Sequence, residues 1–293
     1  MARNTYRLFR CRLTARRMLT PHMIRLTFTG EDLELFGDTL LDQRIKVVLG
    51  SPEALASVPD TDNWFVSVRE AGEAIVMRTY TVAGLRPETG ELDVDFVSHG
   101  TNGPASRFAL EGELGAPVLI AGPDKEVPGH ETSGLAWRPG PSRVLLVGDE
   151  TALPAIVNIL TSLPAHATGH ALVELPTPED AQDITVPAGV RVQWCPRSDP
   201  AAEPGSAVIP ALEAILTDIA GEPSTIAADD DGTDEILWHE ATDRGDTGEV
   251  PQVWIAGETA WVRQTRRLTA DAGIGRDRCS FMGYWKYGES APS

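Results

Sequence analysis

Residues 144–150 read VLLVGDE, and the chain passes from them without a turn signal into TALPAIVNILTSL at 151–163. The first run is short and apolar at successive positions, as in a strand buried on both faces; the second carries helical spacing. A strand that delivers directly into a helix needs a crossover and a parallel neighbour before its backbone groups are paired. The pattern recurs. HALVEL (170–175), VRVQWC (190–195), a helix at about 206–219, QVWIAGE (252–258) and a last helix near 259–272 follow in order. Residues 143–293 are therefore predicted to form a doubly wound α/β domain, with its ligand crevice outside the carboxyl ends of the strands.

The first half has a different period. Residues 5–13, 22–28, 44–49, 78–82, 92–97 and 117–121 are short runs of β-formers, separated by Ser51-Pro52, Arg86-Pro87 and Thr89-Gly90. Such strands with one helical interruption, from about Pro104 to Leu110, suggest a closed or Greek-key antiparallel β-barrel over 1–127. The Pro-, Gly- and Ser-rich stretch 128–142 separates the two patterns and is expected to be a linker.

Charge narrows the partners. The 293 residues carry a net charge of −18, distributed as −4 over residues 1–127 and −14 over the rest. This disfavours nucleic acid and anionic membranes, and an anionic ligand needs a local basic pocket. Cys11, Cys195 and Cys279 are too few and scattered for a disulfide framework or metal cluster, so idle thiols and no metal site are expected. The basic N-terminal segment (Arg3, Arg7, Arg10, Arg12, Arg16, Arg17) lacks the apolar run of a secretory signal, and the expected location is cytoplasmic. Asp229, Asp230, Asp231, Asp234 and Glu235 fall in an acidic stretch, 221–250, read as a solvated insertion.

Two clusters in the first half bear chemistry. Arg78-Thr79-Tyr80-Thr81 offers a cation, an aromatic plate and hydroxyls on one strand, the set that a flavin's phosphates, ring and N5 require; by itself it equally suits any barrel strand. Asp95-Phe96-Val97-Ser98-His99-Gly100 then leads through a Gly-rich turn to Gly103-Pro104-Ala105-Ser106 at a helix start. There, glycines admit a ligand and free N–H groups favour a pyrophosphate.

With these residues in hand, the chain resembles the siderophore-interacting protein family of flavin-dependent ferric-siderophore reductases. The likeness covers nearly the whole length. It rests on RTYT (78–81), DFVSHG (95–100), GPAS (103–106), GDETALPAI (148–156), AGE (256–258) and GYWKYG (283–288) in that order. It implies a ferredoxin-reductase-like arrangement, an FAD-binding barrel followed by a nicotinamide-binding α/β domain. Arg78 would face the FAD pyrophosphate, Tyr80 the isoalloxazine and Thr81 its N5. Asp95, Phe96, Val97, His99 and Gly100 would line the ring or ribityl chain, and Gly103, Ala105 and Ser106 the phosphates. The chain departs from the family at Arg107-Phe108-Ala109, where a Trp-Ala pair is usual, and at Leu114-Gly115-Ala116-Pro117, which lacks a Pro-Gly-Asp turn.

In the second half no G-x-G-x-x-G is present. The resemblance instead places NAD(P)H at Gly148, Asp149, Glu150, Thr151 and Ala152, with Gly257 and Glu258 facing the same crevice; helix capping is the alternative for Asp149, Thr151 and Glu258. Lys46 and Lys286 match basic, substrate-facing positions of the family, and Arg266 and Arg267 are further candidates beside a surface-cation reading. Tyr284 and Trp285 would cover the flavin or the substrate pocket, or serve only in packing. The implied activity is reduction of a ferric siderophore with release of Fe(II), electrons coming from NAD(P)H, or from reduced ferredoxin, through FAD. No protein acid or base is needed for the iron step, and no catalytic dyad is assigned. Two other readings stand beside it: a flavin-dependent reductase of another acceptor (ferredoxin, a quinone or free flavin), and a non-catalytic protein that binds a ferric siderophore.

Overall fold

The computed structural model describes residues 4–37, 39–61, 63–101, 103–199, 202–219, 237–243, 245 and 250–288. The chain divides into two compact units between Leu135 and Ala136. The acidic residues Asp229, Asp230, Asp231, Asp234 and Glu235 lie outside the described residues.

The first unit contains β1 (Tyr6–Thr20), β2 (Met23–Thr29), β3 (Arg44–Gly50), α1 (Pro52–Ser57), α2 (Trp64–Glu70), β4 (Ile75–Arg86), β5 (Glu91–Val97), α3 (Pro104–Glu111) and β6 (Pro117–Pro123). The six strands close into a barrel in the order β1-β2-β5-β4-β3-β6. Alternate residues fill it: Ile24, Leu26 and Phe28 of β2 meet Leu92, Val94 and Phe96 of β5, with Ile45, Val47, Val118 and Ile120 from the far side. Closure leaves no open edge, which is why so many short strands are stable together.

Two features exceed the sequence expectation. β1 continues to Thr20 because its outer end pairs with β2 across the Pro21-His22 turn, even though Arg16 and Arg17 break the apolar alternation. The short helices α1 and α2 cover a second apolar cluster outside the barrel, in which Leu55, Val58, Trp64 and Val68 pack on Leu8, Val48, Ile75 and Leu119. Ser51 starts α1 by accepting from Ala54 N, with Pro52 in the first turn. The opening of the 128–142 stretch is tied to the barrel rather than hanging free. Gln43 donates to the carbonyls of His130 and Ser133, and Arg44 N donates to Gly134 O.

The second unit contains β7 (Arg143–Gly148), α4 (Leu153–Ser162), β8 (Thr168–Leu175), β9 (Gly189–Pro196), α5 (Val208–Ile219), β10 (Trp238–His239), β11 (Gln252–Glu258), α6 (Thr259–Asp271) and β12 (Cys279–Trp285). The sheet order is β10-β12-β11-β7-β8-β9; β12, β11, β7, β8 and β9 run parallel, and β10 is antiparallel at the edge. From β7 the chain winds one way through β8 and β9, then returns to lay β11 and β12 on the other side. The topological switch point is the β7–β11 pair. Strand β12 contains the start of GYWKYG and was not anticipated as a strand, since its apolar run reads equally as a short helix end.

Among the described residues no helix is long and apolar enough to cross a membrane. All three thiols are buried, and burial pushes them up, to about 12 for Cys11 and Cys279 and about 11 for Cys195. Only the thiolate alkylates readily, so the native protein at pH 8 is expected to resist iodoacetamide until it is unfolded, when three labels appear by mass spectrometry. A label on any of the three under native conditions would contradict this burial.

Candidate functional site

In the first unit the site begins where two strands part. β4 runs along β3 from Ile75↔Gly50 to Thr81↔Arg44, but joins β5 only between Val82↔Val94 and Arg86↔Glu91. Arg78 to Thr81 therefore border a seam on the β5 side. Cross-strand partners share a face, so Arg78 and Tyr80 belong to the face of Val47 and Ile45, while Thr79 and Thr81 belong to that of Lys46 and Arg44. The Tyr80 ring lies 4.2 Å, centroid to centroid, from Phe96 at a tilt of 38°. Phe96 is wholly buried, so it backs Tyr80 and does not itself reach a ligand. Burial holds the Tyr80 phenol protonated, well above the ordinary tyrosine range. Arg78 donates to the Met77 carbonyl at 2.9 Å, and Thr81 is buried.

The turn from β5 into α3 is organised by Ser106, whose hydroxyl accepts from His99 N at 3.2 Å and donates to Gly100 O at 2.6 Å. Gly100 has φ +76°, a backbone state that a side chain would strain. Gly103 is the residue before the helix, and Pro104 sets the first helical position. Arg107 N makes a helical bond to Gly103 O at 2.8 Å, so the N–H groups of Ala105 and Ser106 precede it and project from the helix start. A side chain placed at Gly100 or Gly103 would meet nothing within 4 Å. Val97 is half-buried at the end of β5, and His99 is exposed beside the turn.

These residues suit an FAD: an aromatic face, a hydroxyl on the adjacent position, an arginine, and outward amides beside two glycines with room in front of them. Gly103 provides a clean test, because its φ of −100° and ψ of 144° suit any residue. Gly103→Val is expected to leave the melting temperature unchanged and to weaken FAD binding at least about 10-fold, read by flavin titration of the apoprotein. Equal affinity in the variant would remove the phosphates from this turn.

Asp95 has a different job from the one expected of it. Its carboxylate takes two hydrogen bonds from Arg25, at 2.7 and 2.8 Å, across the β2–β5 pair. Next to it, Arg86 binds Glu91 and Asp93, and Thr27 donates to Asp93. Burial pushes Asp93 up, but the hydrogen bonds from Arg86 and Thr27 outweigh it and hold the group below the usual carboxylate range. Asp95 is thus a structural acid of the barrel wall, with its side chain committed to Arg25. The sequence carried a signal for this: the polar positions of RLT (25–27) are met by acids in DVD (93–95), charge alternating on the face opposite the core.

In the second unit the carboxyl ends of β7 and β11 meet at the switch point. Gly148 packs closely, since a Cβ there would stand 2.7 Å from the Ala152 Cβ. Asp149 is wholly buried, and its two oxygens accept from Thr151 N (2.9 Å), Thr151 Oγ1 (2.5 Å), Glu258 N (2.9 Å) and Trp285 Nε1 (2.9 Å). Burial first, and then the charge of Glu150, push Asp149 up to about 6; the donors act the other way. Glu258 accepts from Ala260 N and Trp261 N in the first turn of α6, and from Tyr287 N. Glu150 receives two hydrogen bonds from Arg197, which also reaches Glu174; Glu174 in turn accepts from the amides of Gly205, Ala207 and Val208 at the start of α5. Ala152 is buried. The seven residues expected to hold NAD(P)H are therefore gathered at one place, but the acids among them spend their oxygens on the protein itself.

Of the cations expected to face substrate, Lys46 donates to Thr79 Oγ1 at 2.6 Å, and burial, with Arg44 adding, lowers its pKa. Lys286 and Arg267 are exposed. Arg266 is buried, with 8% of its surface accessible, which removes it from the substrate-facing set: its position in α6 turns it toward the packed side. Arg25, Glu174 and Arg197 were not singled out in the sequence, because each acquires its role from a partner on another element.

Residues 141–288 match the family described as Siderophore-interacting protein, and residues 12–127 match the Siderophore-interacting FAD-binding domain. Among curated proteins, the ferric vibriobactin reductase ViuB of Vibrio cholerae is 29% identical over 283 residues, covering 94% of this chain and 88% of its own. Among solved structures, the siderophore-interacting protein SipS from Aeromonas hydrophila aligns with a TM-score of 0.68 at 27% identity, covering 98% of this chain and 94% of its own. The ferredoxin reductase in carbazole 1,9a-dioxygenase aligns at a TM-score of 0.60 and 16% identity, over 96% of this chain and 70% of that one, and this likeness speaks to the fold alone.

Proposed function

Because the chain belongs to the siderophore-interacting protein family, we propose that it is an FAD-dependent oxidoreductase that reduces the iron of a ferric siderophore and releases Fe(II). NAD(P)H, or reduced ferredoxin, is the electron source. When bound, the flavin supplies the conversion between a two-electron donor and a one-electron acceptor. The rest is the work of the chain. Tyr80, backed by Phe96, offers a rigid ring face; Thr81 presents a hydroxyl toward N5; Arg78 and the amides of Ala105 and Ser106 take the pyrophosphate.

The observation that carries the acceptor is the register of β3 on β4. Lys46 stands opposite Thr79, and Arg44 opposite Thr81, on a single face. Two cations thus lie beside the hydroxyl assigned to the flavin's N5 edge, in the half of the chain whose net charge is only −4. A bulky anionic iron chelate is attracted there, while the strongly negative remainder of the chain repels it. Burial, with Arg44 adding, lowers the Lys46 pKa, and an anion bound beside it would act the other way.

The test is anaerobic. The oxidised flavoprotein is mixed with NADH, NADPH or reduced ferredoxin, then with a ferric siderophore and a ferrous trap. Bleaching followed by reoxidation and trapped Fe(II) is the expected sequence. Bleaching without reoxidation by any ferric chelate would retain the reductase and discard iron as its acceptor. A protein that takes up no FAD but binds the chelate would be a carrier.

A further inference from the structure

Three helices of the second unit begin at the carboxyl edge of its parallel strands: α4 after β7, α5 after β9 and α6 after β11. A dinucleotide held by an open α/β sheet sets its pyrophosphate there, on first-turn amides. At each of these three starts the protein supplies its own acceptor instead.

At α6, Glu258 Oε2 accepts from Ala260 N at 2.7 Å and from Trp261 N at 3.2 Å, while Glu258 N donates to Asp149 Oδ2 at 2.9 Å. At α5, the wholly buried Glu174 accepts from Gly205 N, Ala207 N and Val208 N at 2.8 to 3.0 Å. At α4, Thr151 N donates to Asp149 Oδ1 at 2.9 Å and Ala152 N to the Asp149 carbonyl at 3.0 Å. Pro154, in the first turn of α4, has no N–H to give, and Ala152, Leu153 and Ala155 are buried. The cation beside these groups is committed too, because Arg197, just past β9, is divided between Glu150 and Glu174. Nor is there slack in the backbone. A Cβ at Gly148 would stand 2.7 Å from the Ala152 Cβ, and one at Gly257 would stand 2.5 Å from Asp149 Oδ2.

A pyrophosphate entering here has to displace carboxylates that are already desolvated and hydrogen-bonded, and it leaves them buried without their donors. The field opposes it as well, since residues 128–293 carry a net charge of −14. A redox protein meets neither obstacle, because its electron crosses a contact surface and needs no pocket at the strand ends.

We infer that the strand ends of the second unit hold no nicotinamide nucleotide, and that the electrons come from a one-electron iron–sulfur protein. The inference rests on the reading of the protein as an FAD-dependent ferric-siderophore reductase, and it decides between the two donors which that reading admits. The balance closes one for one: each cluster oxidised accounts for one Fe(III) reduced to Fe(II), with no hydride and no net proton. Asp149, Glu174 and Glu258 are then structural acids of the sheet edge, and the GDET and AGE segments serve the fold.

The test has a binding arm and a kinetic arm, both anaerobic and on the FAD-loaded protein. NAD+ and NADP+ are titrated by calorimetry to about 1 mM, the upper end of ordinary substrate KM values. Neither is expected to give binding heat or to shift the flavin bands. In stopped flow, NADH and NADPH are expected to bleach the flavin at rates that rise linearly to about 1 mM without saturating. A photoreduced ferredoxin with a two-iron cluster is expected to bleach it at least about 10-fold faster than either nucleotide does at that concentration.

Saturable bleaching by either nucleotide, or binding heat with a Kd below about 1 mM, overturns the inference. So does failure of photoreduced two-iron and four-iron ferredoxins alike to bleach the flavin. The underlying reading is tested separately, by photoreducing the flavin with no excess reductant and adding a ferric siderophore and a ferrous trap. Reoxidation with trapped Fe(II) upholds the reductase whatever its donor. No reoxidation by any ferric chelate counts against the reductase itself.

Discussion

Arg197→Ala is expected to lower the unfolding free energy of the second unit by about 3–5 kcal/mol. The guanidinium, only 8% exposed, lies between Glu150 and Glu174, with contacts of 2.9 and 3.1 Å. Glu174 is wholly buried and ties β8 to the start of α5 through three backbone amides. Removing the cation leaves two carboxylates close together without their shared counter-charge. The measurement is chemical denaturation of parent and variant followed by tryptophan fluorescence. A small deficit would mean that the three side chains are not coupled as their distances indicate. Arg197→Lys, which restores charge without the forked geometry, is expected to recover only part of the loss.

The second large effect lies in the barrel. Tyr80→Ala is expected to weaken FAD binding by about 10- to 100-fold, equivalent to about 1.4–2.7 kcal/mol. The variant removes the ring assigned to the isoalloxazine and exposes the Phe96 face behind it, which then faces water in the apoprotein. Tyr80→Phe keeps the ring and is expected to bind FAD nearly as the parent does, because no hydrogen bond of the phenol is required. Flavin titration of the apoprotein gives both affinities, and thermal unfolding of the apoprotein shows whether the barrel is intact. A Tyr80→Ala protein that folds and retains parental FAD affinity would place the flavin ring elsewhere.

Much of the local geometry around Tyr80 and Ser106 could be read in advance because its signals are local. The four residues RTYT sit on one strand whose period fixes which of them share a face. The Gly100–Ser106 turn announces itself by glycines and a proline before a helix. What local reading could not supply is visible at Asp95, Phe96 and Arg266. Their residue types fit a ligand site, yet a cross-strand arginine claims the first, the barrel interior the second and the packed side of α6 the third. In each case the competing use belongs to an element tens of residues away.

The sequence by itself determined the types of most elements, with α1, α2 and β12 among the exceptions, since burial on both faces, alternation and helical spacing each leave a distinct period in the chain. It also determined the order of those elements, and with it a barrel unit followed by a parallel α/β unit. Tertiary structure alone decided the partners. Asp149 and Trp285 are 136 positions apart and meet only because β12 returns beside β11, next to β7. Glu150, Glu174 and Arg197 form one charge cluster only because β7, β8 and β9 lie side by side. A buried carboxylate's role depends on which donors surround it, and that is fixed by strand order and register, long-range quantities that no local period encodes.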